Sequence, residues 1–416
     1  MPSDRVDATT VSSLPPLAPV SAIARRMSLP EYYHASIASS RHTLESPRHA
    51  VFFLKAEGRL SPQQWQRALD QVAAANPGTR LRLLGRLWWA RWRSDGAPPR
   101  LRIVDHCDWD MRSERGAEFI GATPLPLRHG PSIELIVAQL AGGSTLLVLR
   151  AHHAVMDGIG GMHFLEELFR ALRGEPLLGS NAAYSDTDLM LGVGAGVKGP
   201  RPAHLKTSWL TGEPSGDEIG DTWRRISLGP PSKNLLARLA AALAEFYHQQ
   251  SELPALIAVP VNLRRHIPGL LSTTNFSNML RVPLYRGDGT EQFTLRLKEM
   301  LAQRLDTLYT RILDVFKLLP FSWIDRMLSR TLKNYRTKKP LETAVISNLG
   351  RADADKLSCP GFQTDYMFIL PLGGSVFSTL ICVGDQVEMT LNLPKLLASN
   401  GRFDALVEHL LKRLKT

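Results

Sequence analysis

Cysteine is scarce in this 416-residue chain: only Cys107, Cys359 and Cys382 are present. They are odd in number, far apart and not at zinc-ligand spacing. That argues against a disulfide framework and a thiolate metal site, and points to a reducing, cytoplasmic compartment. Uninterrupted apolar runs of about 18 residues are lacking, so no transmembrane helix is expected. No G-x-S-x-G nucleophile elbow occurs, so no covalent acyl-enzyme is expected. The histidines lack ligand spacing with carboxylates or thiols, so no metal is expected either. Acidic residues are outnumbered: 50 Lys and Arg against 39 Asp and Glu leave a net charge of +11. A surface of that sign favours anionic partners, whether nucleic acid, acidic lipid, phosphate-bearing cofactors or acidic proteins.

What is present suits a folded enzyme. The 44% hydrophobic content fills a core, and the length allows two average domains or one two-lobed body. Residues 1–27 carry Pro15, Pro16 and Pro19 without a preceding basic region, and read as a mobile leader. "HAVFFLKAEGRL" reads as a strand. Ser61, Pro62 and Gln64 then open a helix as N-cap, first-turn proline and capping-box residue. "SIELIVAQLAGGSTLLVLRAHH" reads as two strands turning at Gly142 and Gly143. In "GMHFLEELFRALRG", Phe164, Leu165, Leu168, Phe169 and Leu172 share one helical face, and Gly174 closes the helix. A Gly- and Pro-rich stretch at 191–214 reads as a linker or crossover. Strands and helices then resume, with helices expected over 291–316 and 322–337. The organisation is α/β in two mixed lobes, 28–190 and 215–416.

Between a buried strand and a helix stands "RAHHAVMDGIGG", Arg150 to Gly161. The edge where strands end and helices begin is where functional groups concentrate in α/β layers. A histidine at the end of "TLLVLRA" is partly desolvated, which keeps its imidazole neutral and available to take a proton from an amine or hydroxyl attacking a carbonyl. Asp157 lies in a tight turn and needs a partner, an arginine in a bidentate pair being the best fit. It also suits the N-cap of the helix that follows. Gly158 allows a backbone N–H to approach a reacting carbonyl at the helix start.

This stretch resembles the HHxxxDG motif of the condensation-domain and chloramphenicol-acetyltransferase-like acyltransferase superfamily, in an unbroken match from His152 to Gly158. "EGRLSPQQWQRALDQVAAANPGTRLRL" resembles the superfamily's first strand–helix–strand unit. "VPVNLRRHIPGLLSTTNFSNMLRVPL" resembles the stretch that supplies the arginine and then a crossover strand. "ISNLG" resembles its late strand near the tunnel. The plant-type DFGWG motif is missing, and a free-standing enzyme is expected. The resemblance implies two acetyltransferase-like lobes in a V-shaped pseudo-dimer with a central tunnel. It makes His153 the general base and His152 structural, with Asp157 bracing the site. Arg264 becomes the partner of Asp157, with Arg265 as rival, while Ser347 and Asn348 become substrate contacts; Asn275 and Asn278 read as turn and strand-edge residues. It also implies an acyl donor held as a phosphopantetheine thioester, on an acyl or peptidyl carrier protein or on coenzyme A, with no permanently bound cofactor. The implied product is an amide or ester of a small-molecule acceptor in specialised-metabolite biosynthesis. The alternatives are O-acylation of a lipid or sugar alcohol, as in wax-ester and diacylglycerol acyltransferases, and a non-catalytic homologue that binds carrier proteins. Two lobes in one chain make a monomer sufficient.

Two basic stretches remain. "RLRLLGRLWWARWR" interleaves arginines with Trp88, Trp89 and Trp92. It reads as strands with arginines facing water rather than a nucleic-acid platform. "SRTLKNYRTKKP" reads as a surface helix, or as a dock for an acidic carrier, coenzyme A phosphates or an anionic membrane.

Overall fold

Local chemistry at Ser61 starts the first long helix of the fold. The Ser61 hydroxyl accepts from Gln64 N while the Gln64 side chain accepts from Ser61 N, a reciprocal cap. Trp65, Ala68, Leu69 and Val72 then fall on one face and are buried. The computed structural model describes residues 14–37, 49–195, 197, 205–218, 220–309, 311–324, 326–327, 339–370 and 374–415. The amino-terminal half runs β1 (Ala24–Arg26), α1 (Leu29–Ile37), β2 (His49–Gly58), α2 (Pro62–Ala75), β3 (Arg82–Leu84), β4 (Arg91–Arg93), β5 (Arg100–Cys107), β6 (Ile133–Leu140), β7 (Thr145–His152), α3 (Gly158–Leu172) and α4 (Asp186–Val193). The other half runs β8 (Asp221–Gly229), α5 (Leu235–Tyr247), β9 (Ala255–Asn262), β10 (Ser277–Leu284), α6 (Thr290–Ala302), β11 (Ala344–Ala352), β12 (Phe362–Leu370), β13 (Phe377–Val383), β14 (Gln386–Pro394) and α7 (Arg402–Leu414).

Two large sheets carry the lobes. One has the order β12-β2-β7-β6-β5, the other β10-β9-β11-β13-β14-β8. In the first, α2 and α3 pack their apolar faces over β2 and β7 around Trp65, Phe52, Phe164 and Leu168. Strand β7 is buried along its whole length. That continuous burial explains its apolar run from Leu146 to Leu149. The β6–β7 hairpin turns through Gly142 and Gly143, whose positive φ of 86° and 90° suits residues without a Cβ. In the second sheet, α5, α6 and α7 cover a separate core that includes Leu243, Ile257, Leu391 and Leu410. The two-lobed α/β architecture expected from the sequence is therefore the observed one.

Several expectations are corrected. The crossover strand is β12, not the stretch after Arg264. Residues 277–284 form β10, which pairs antiparallel with β9 inside the second sheet. Strand β12 instead leaves the carboxy-terminal half and adds to β2, with Phe362 opposite Gly58 and Leu370 opposite Val51. Residues 28–190 therefore do not complete their own sheet. The leader is shorter than residues 1–27: Val20 N donates to Ser180 O at 2.9 Å, Ile23 and Met27 are buried, and β1 pairs with β4. Its apolar side chains are spaced for an extended segment lying on a surface, which leaves no helical or alternating period to read. Residues 1–13 lie outside the described residues.

The linker starts later than residue 191, because α4 runs to Val193. It also ends earlier than 214: the Thr207 hydroxyl donates to Pro254 O and that of Thr211 to Leu397 O, seating them on the second lobe. Its centre, 198–204, is outside the described residues. The helix expected over 291–316 breaks after Ala302, where Arg304 adopts a left-handed φ of 55° and short 3₁₀ turns follow at Leu305–Thr307 and Arg311–Leu318. Most of the second expected helix and of the basic stretch after it, at 328–338, lies outside the described residues.

Candidate active site

The end of β7 and the start of α3 are joined by a turn that His152 holds. His152 N donates to Ser132 O at 2.9 Å, and its ring Nδ1 accepts from Ala154 N at 3.1 Å. The ring is buried edge-on against His49, directly across the β2–β7 register. His152 is thus spent on the turn. His153 follows, and its ring stacks flat on His34 of α1, with centroids 4.1 Å apart and planes 6° from parallel. Its carbonyl accepts from Asn275 Nδ2 at 2.9 Å, a contact that comes from the opposite lobe. Its Nδ1 is buried, with no hydrogen-bond partner among the described residues. Burial pushes the imidazole below its ordinary value of 6.5, against weaker upward pulls from its own carbonyl, Asp157 and Asn275.

Asp157 caps α3, its Oδ1 accepting from Gly160 N at 2.6 Å. The same carboxylate takes a bidentate grip from Arg264, Nη1 to Oδ2 at 3.0 Å and Nη2 to Oδ1 at 3.2 Å, and Oδ2 accepts from Phe276 N at 2.6 Å. Arg264 also donates to Asn262 Oδ1 and to the carbonyls of Ser272 and Thr274. Its guanidinium lies over the Phe276 ring, 5.2 Å from the centroid. Both ends are buried, at 3% and 8% exposure, so this ion pair is sealed between the lobes. Arg265 does not compete for Asp157; it pairs with Asp306, which also holds His266.

Gly158 opens α3. A Cβ there would meet the side chain of Leu349 at 3.0 Å, so the "ISNLG" strand reaches this edge through Leu349. Ser347 sits half-buried in register with Thr379, and Asn348 is exposed with its Oδ1 accepting from Gly350 N. Gly160 is pressed harder. A Cβ there would lie 2.3 Å from Thr273 O, and one at Gly78 would lie 2.6 Å from Thr273 Oγ1. The 273–274 loop is thus wedged between two glycines of the first lobe. Gly160→Ala is expected to lower unfolding free energy by about 1–3 kcal/mol, because backbone must move. Gly158→Ala should stay within about 1 kcal/mol of the parent, because the Leu349 side chain can turn away. Urea denaturation of the two variants checks this; equal midpoints would sink the wedge.

Three participants escape a reading of the motif. His34 comes from α1, whose start was signalled: Ser28 and Glu31 make the reciprocal contacts of a capping box, Ser28 N to Glu31 Oε2 and Glu31 N to Ser28 Oγ. Asn275 reads as a turn residue yet reaches across to His153. Leu349 is apolar and carries no signal of its own. Asn278 does edge a strand, its amide donating to Asp306 O at 2.8 Å. Among the described residues, no cluster of three or more His, Cys, Asp or Glu is placed to hold a metal, and no helix is long and apolar enough to cross a membrane.

No family model and no curated protein sequence matches this chain. Solved structures do. The chain is similar to the condensation domain of the monacolin K polyketide synthase MokA, at 14% identity and TM-score 0.65, over 95% of this chain and 98% of that one. It is similar to the first condensation domain of the CDA synthetase, at 19% identity and TM-score 0.63, over 95% and 96% of the two chains. It is also similar to a substituted starter condensation domain of rhizomide synthetase solved with C8-CoA, at 15% identity and TM-score 0.61, over 94% of each. These matches span nearly the full length of both partners, and they establish the fold as that of condensation domains.

Proposed function

We propose that this chain, folded as condensation domains are, is an acyltransferase. It moves an acyl group from a pantetheine thioester to an amine or hydroxyl, making an amide or ester in specialised metabolism. The observation that carries the reading is His153: a desolvated imidazole on the loop whose far end, Asp157, is clamped by Arg264 from the other lobe. Burial of Nδ1 leaves Nε2 as the nitrogen that meets substrate. The nucleophile's N–H or O–H proton passes to Nε2 as its lone pair attacks the thioester carbonyl. Collapse of the tetrahedral intermediate breaks the C–S bond, and the leaving thiolate takes the proton back from the imidazolium. Donor and acceptor react directly, so no acyl group resides on the protein. Backbone N–H groups where α3 begins, at Gly158, offer the developing oxyanion a dipole of the right sign. His152 and Arg264 act by holding geometry.

The donor is carried by coenzyme A or by a carrier protein. The rhizomide neighbour, solved with C8-CoA, supports a thioester of this kind. The test is a mass-spectrometric screen of acyl-coenzyme A and acyl-carrier thioesters against amine and alcohol acceptors. A new amide or ester with stoichiometric thiol release is the expected result. Thiol release without an acylated acceptor would mean hydrolysis and overturn the transfer reading. Carrier binding with no turnover across the panel would favour a non-catalytic homologue.

A further inference from the structure

The small sheet β1-β4-β3 lies apart from both large ones. Its outer face is basic because the strands alternate: Trp92 points into the core while Arg91 and Arg93 point out, in register with Arg26 and Arg82. A groove of about 790 Å³ beside it is lined by Arg26, Arg80, Arg91, Arg93 and Trp89, with Asp95 as its one acidic residue. Asp95 is taken by Arg82 and Arg93, and no carboxylate pairs with Arg26 or Arg91 among the described residues. Trp89 is 71% exposed, and the Arg26 guanidinium lies 5.8 Å from its ring.

An apolar ridge continues from that groove. The segment 311–318 packs against Leu87–Trp89 and α1, and Lys317 Nζ sits 5.7 Å over Trp88. Val315 and Leu318 there are exposed, and Trp323 in the next turn is 65% exposed. The ridge is anchored from beneath: Tyr32 OH donates to Leu319 O at 2.7 Å and the Tyr32 ring meets Phe321 at 4.5 Å. The same helix, α1, carries His34 onto His153. The face therefore borders the candidate active site.

Large exposed indoles and aliphatics, set among unpaired arginines, are costly in water and need an occupant. We propose that this face docks the chain on an anionic lipid surface. Indoles settle at headgroup depth, aliphatic tips enter the acyl boundary, and arginines meet anionic headgroups. A nucleic acid would use the arginines but leave Val315, Leu318 and Trp323 in water, and an acidic protein would cover them only with a matching apolar patch of its own. The inference stands without the acyl-transfer reading, which it extends by placing a lipid surface beside His153.

The test is flotation of the full chain with phosphatidylcholine vesicles, with and without phosphatidylglycerol. The chain should float only with the anionic vesicles, and brominated lipid should quench tryptophan emission. Trp89→Ser with Trp323→Ser, and separately Arg26→Glu with Arg91→Glu, should each cut the bound fraction about tenfold or more. Circular dichroism should stay unchanged, since all four side chains are at the surface. Flotation with neither vesicle, or flotation untouched by both pairs of substitutions, would overturn the proposal. So would retention on a soluble polyanion with unquenched tryptophans on the anionic vesicles, which would assign the face to an acidic macromolecule. Because no turnover is read, failure of the acyl-transfer reading would leave the flotation result unaffected.

Discussion

His153→Ala should lower acyl-transfer turnover by about 10²–10⁴-fold, the range general-base assistance supplies. The substitution removes the ring stacked on His34 but leaves the His153 carbonyl that Asn275 holds, so the turn keeps its backbone partner. Burial of the imidazole also sets the pH profile. Burial disfavours the charged form, so the folded value lies below 6.5 and the acid limb of kcat/KM should fall below that point. Stability follows the same sign. The neutral ring is accommodated at no protonation cost above the unfolded value near 6.5. Stability is lost as pH falls from there through the lower folded value, where the unfolded chain binds the extra proton. Turnover of the best donor–acceptor pair across pH, in parent and variant, decides the matter. A loss smaller than about tenfold would remove His153 from the role of base.

Arg264→Ala should cost about 3–5 kcal/mol of stability, far more than a surface ion pair. The Asp157 carboxylate would stay buried with only Gly160 N and Phe276 N to hold its charge. The carbonyls of Ser272 and Thr274 would lose their donor as well. Asp157→Ala should be at least as damaging, because it strands the guanidinium and strips the cap of α3, itself worth about 1 kcal/mol. Replacing both at once, Asp157→Leu with Arg264→Met, should recover part of the loss, since no lone charge remains. It cannot recover all of it, because Gly160 N and Phe276 N are then orphaned. A double-mutant cycle of Asp157→Leu, Arg264→Met and the two together, by urea denaturation, measures this coupling. Single losses near 1 kcal/mol would show that the pair is not sealed from water. Turnover should fall with stability, because the pair fixes the start of α3 against the second lobe.

How much of this is legible in the sequence depends on distance along the chain. The strand, the histidine pair, the aspartate and the helix are consecutive, so one short window shows a buried strand turning into a capped helix. The Asp157–Arg264 pair spans 107 residues. Nothing in the spacing sets that distance, and only the superfamily resemblance brought Arg264 forward. Asn275 sits in "TTNF", where an asparagine reads as a turn former; its reach to His153 is a property of two lobes meeting. The strand "YMFILPL" is plain from its apolar run, yet pairing with β2 rather than β11 is decided by register across sheets. Leu14, Leu17 and Val20 each adjoin a proline and lie extended on the surface of other elements, so no period marks them as structure.

Strand β12 has a consequence for the order in which the molecule can be made. Synthesis runs from the amino terminus, and domains ordinarily fold as they emerge. Here the sheet that carries His152 keeps an open hydrogen-bonding edge on β2 until residues 362–370 have been added. The half that carries His153 is therefore not the early half. It waits, edge unpaired and prone to adding another chain's strand, until the strand at 362–370 has emerged. The two lobes are in this sense a single product of translation, finished together.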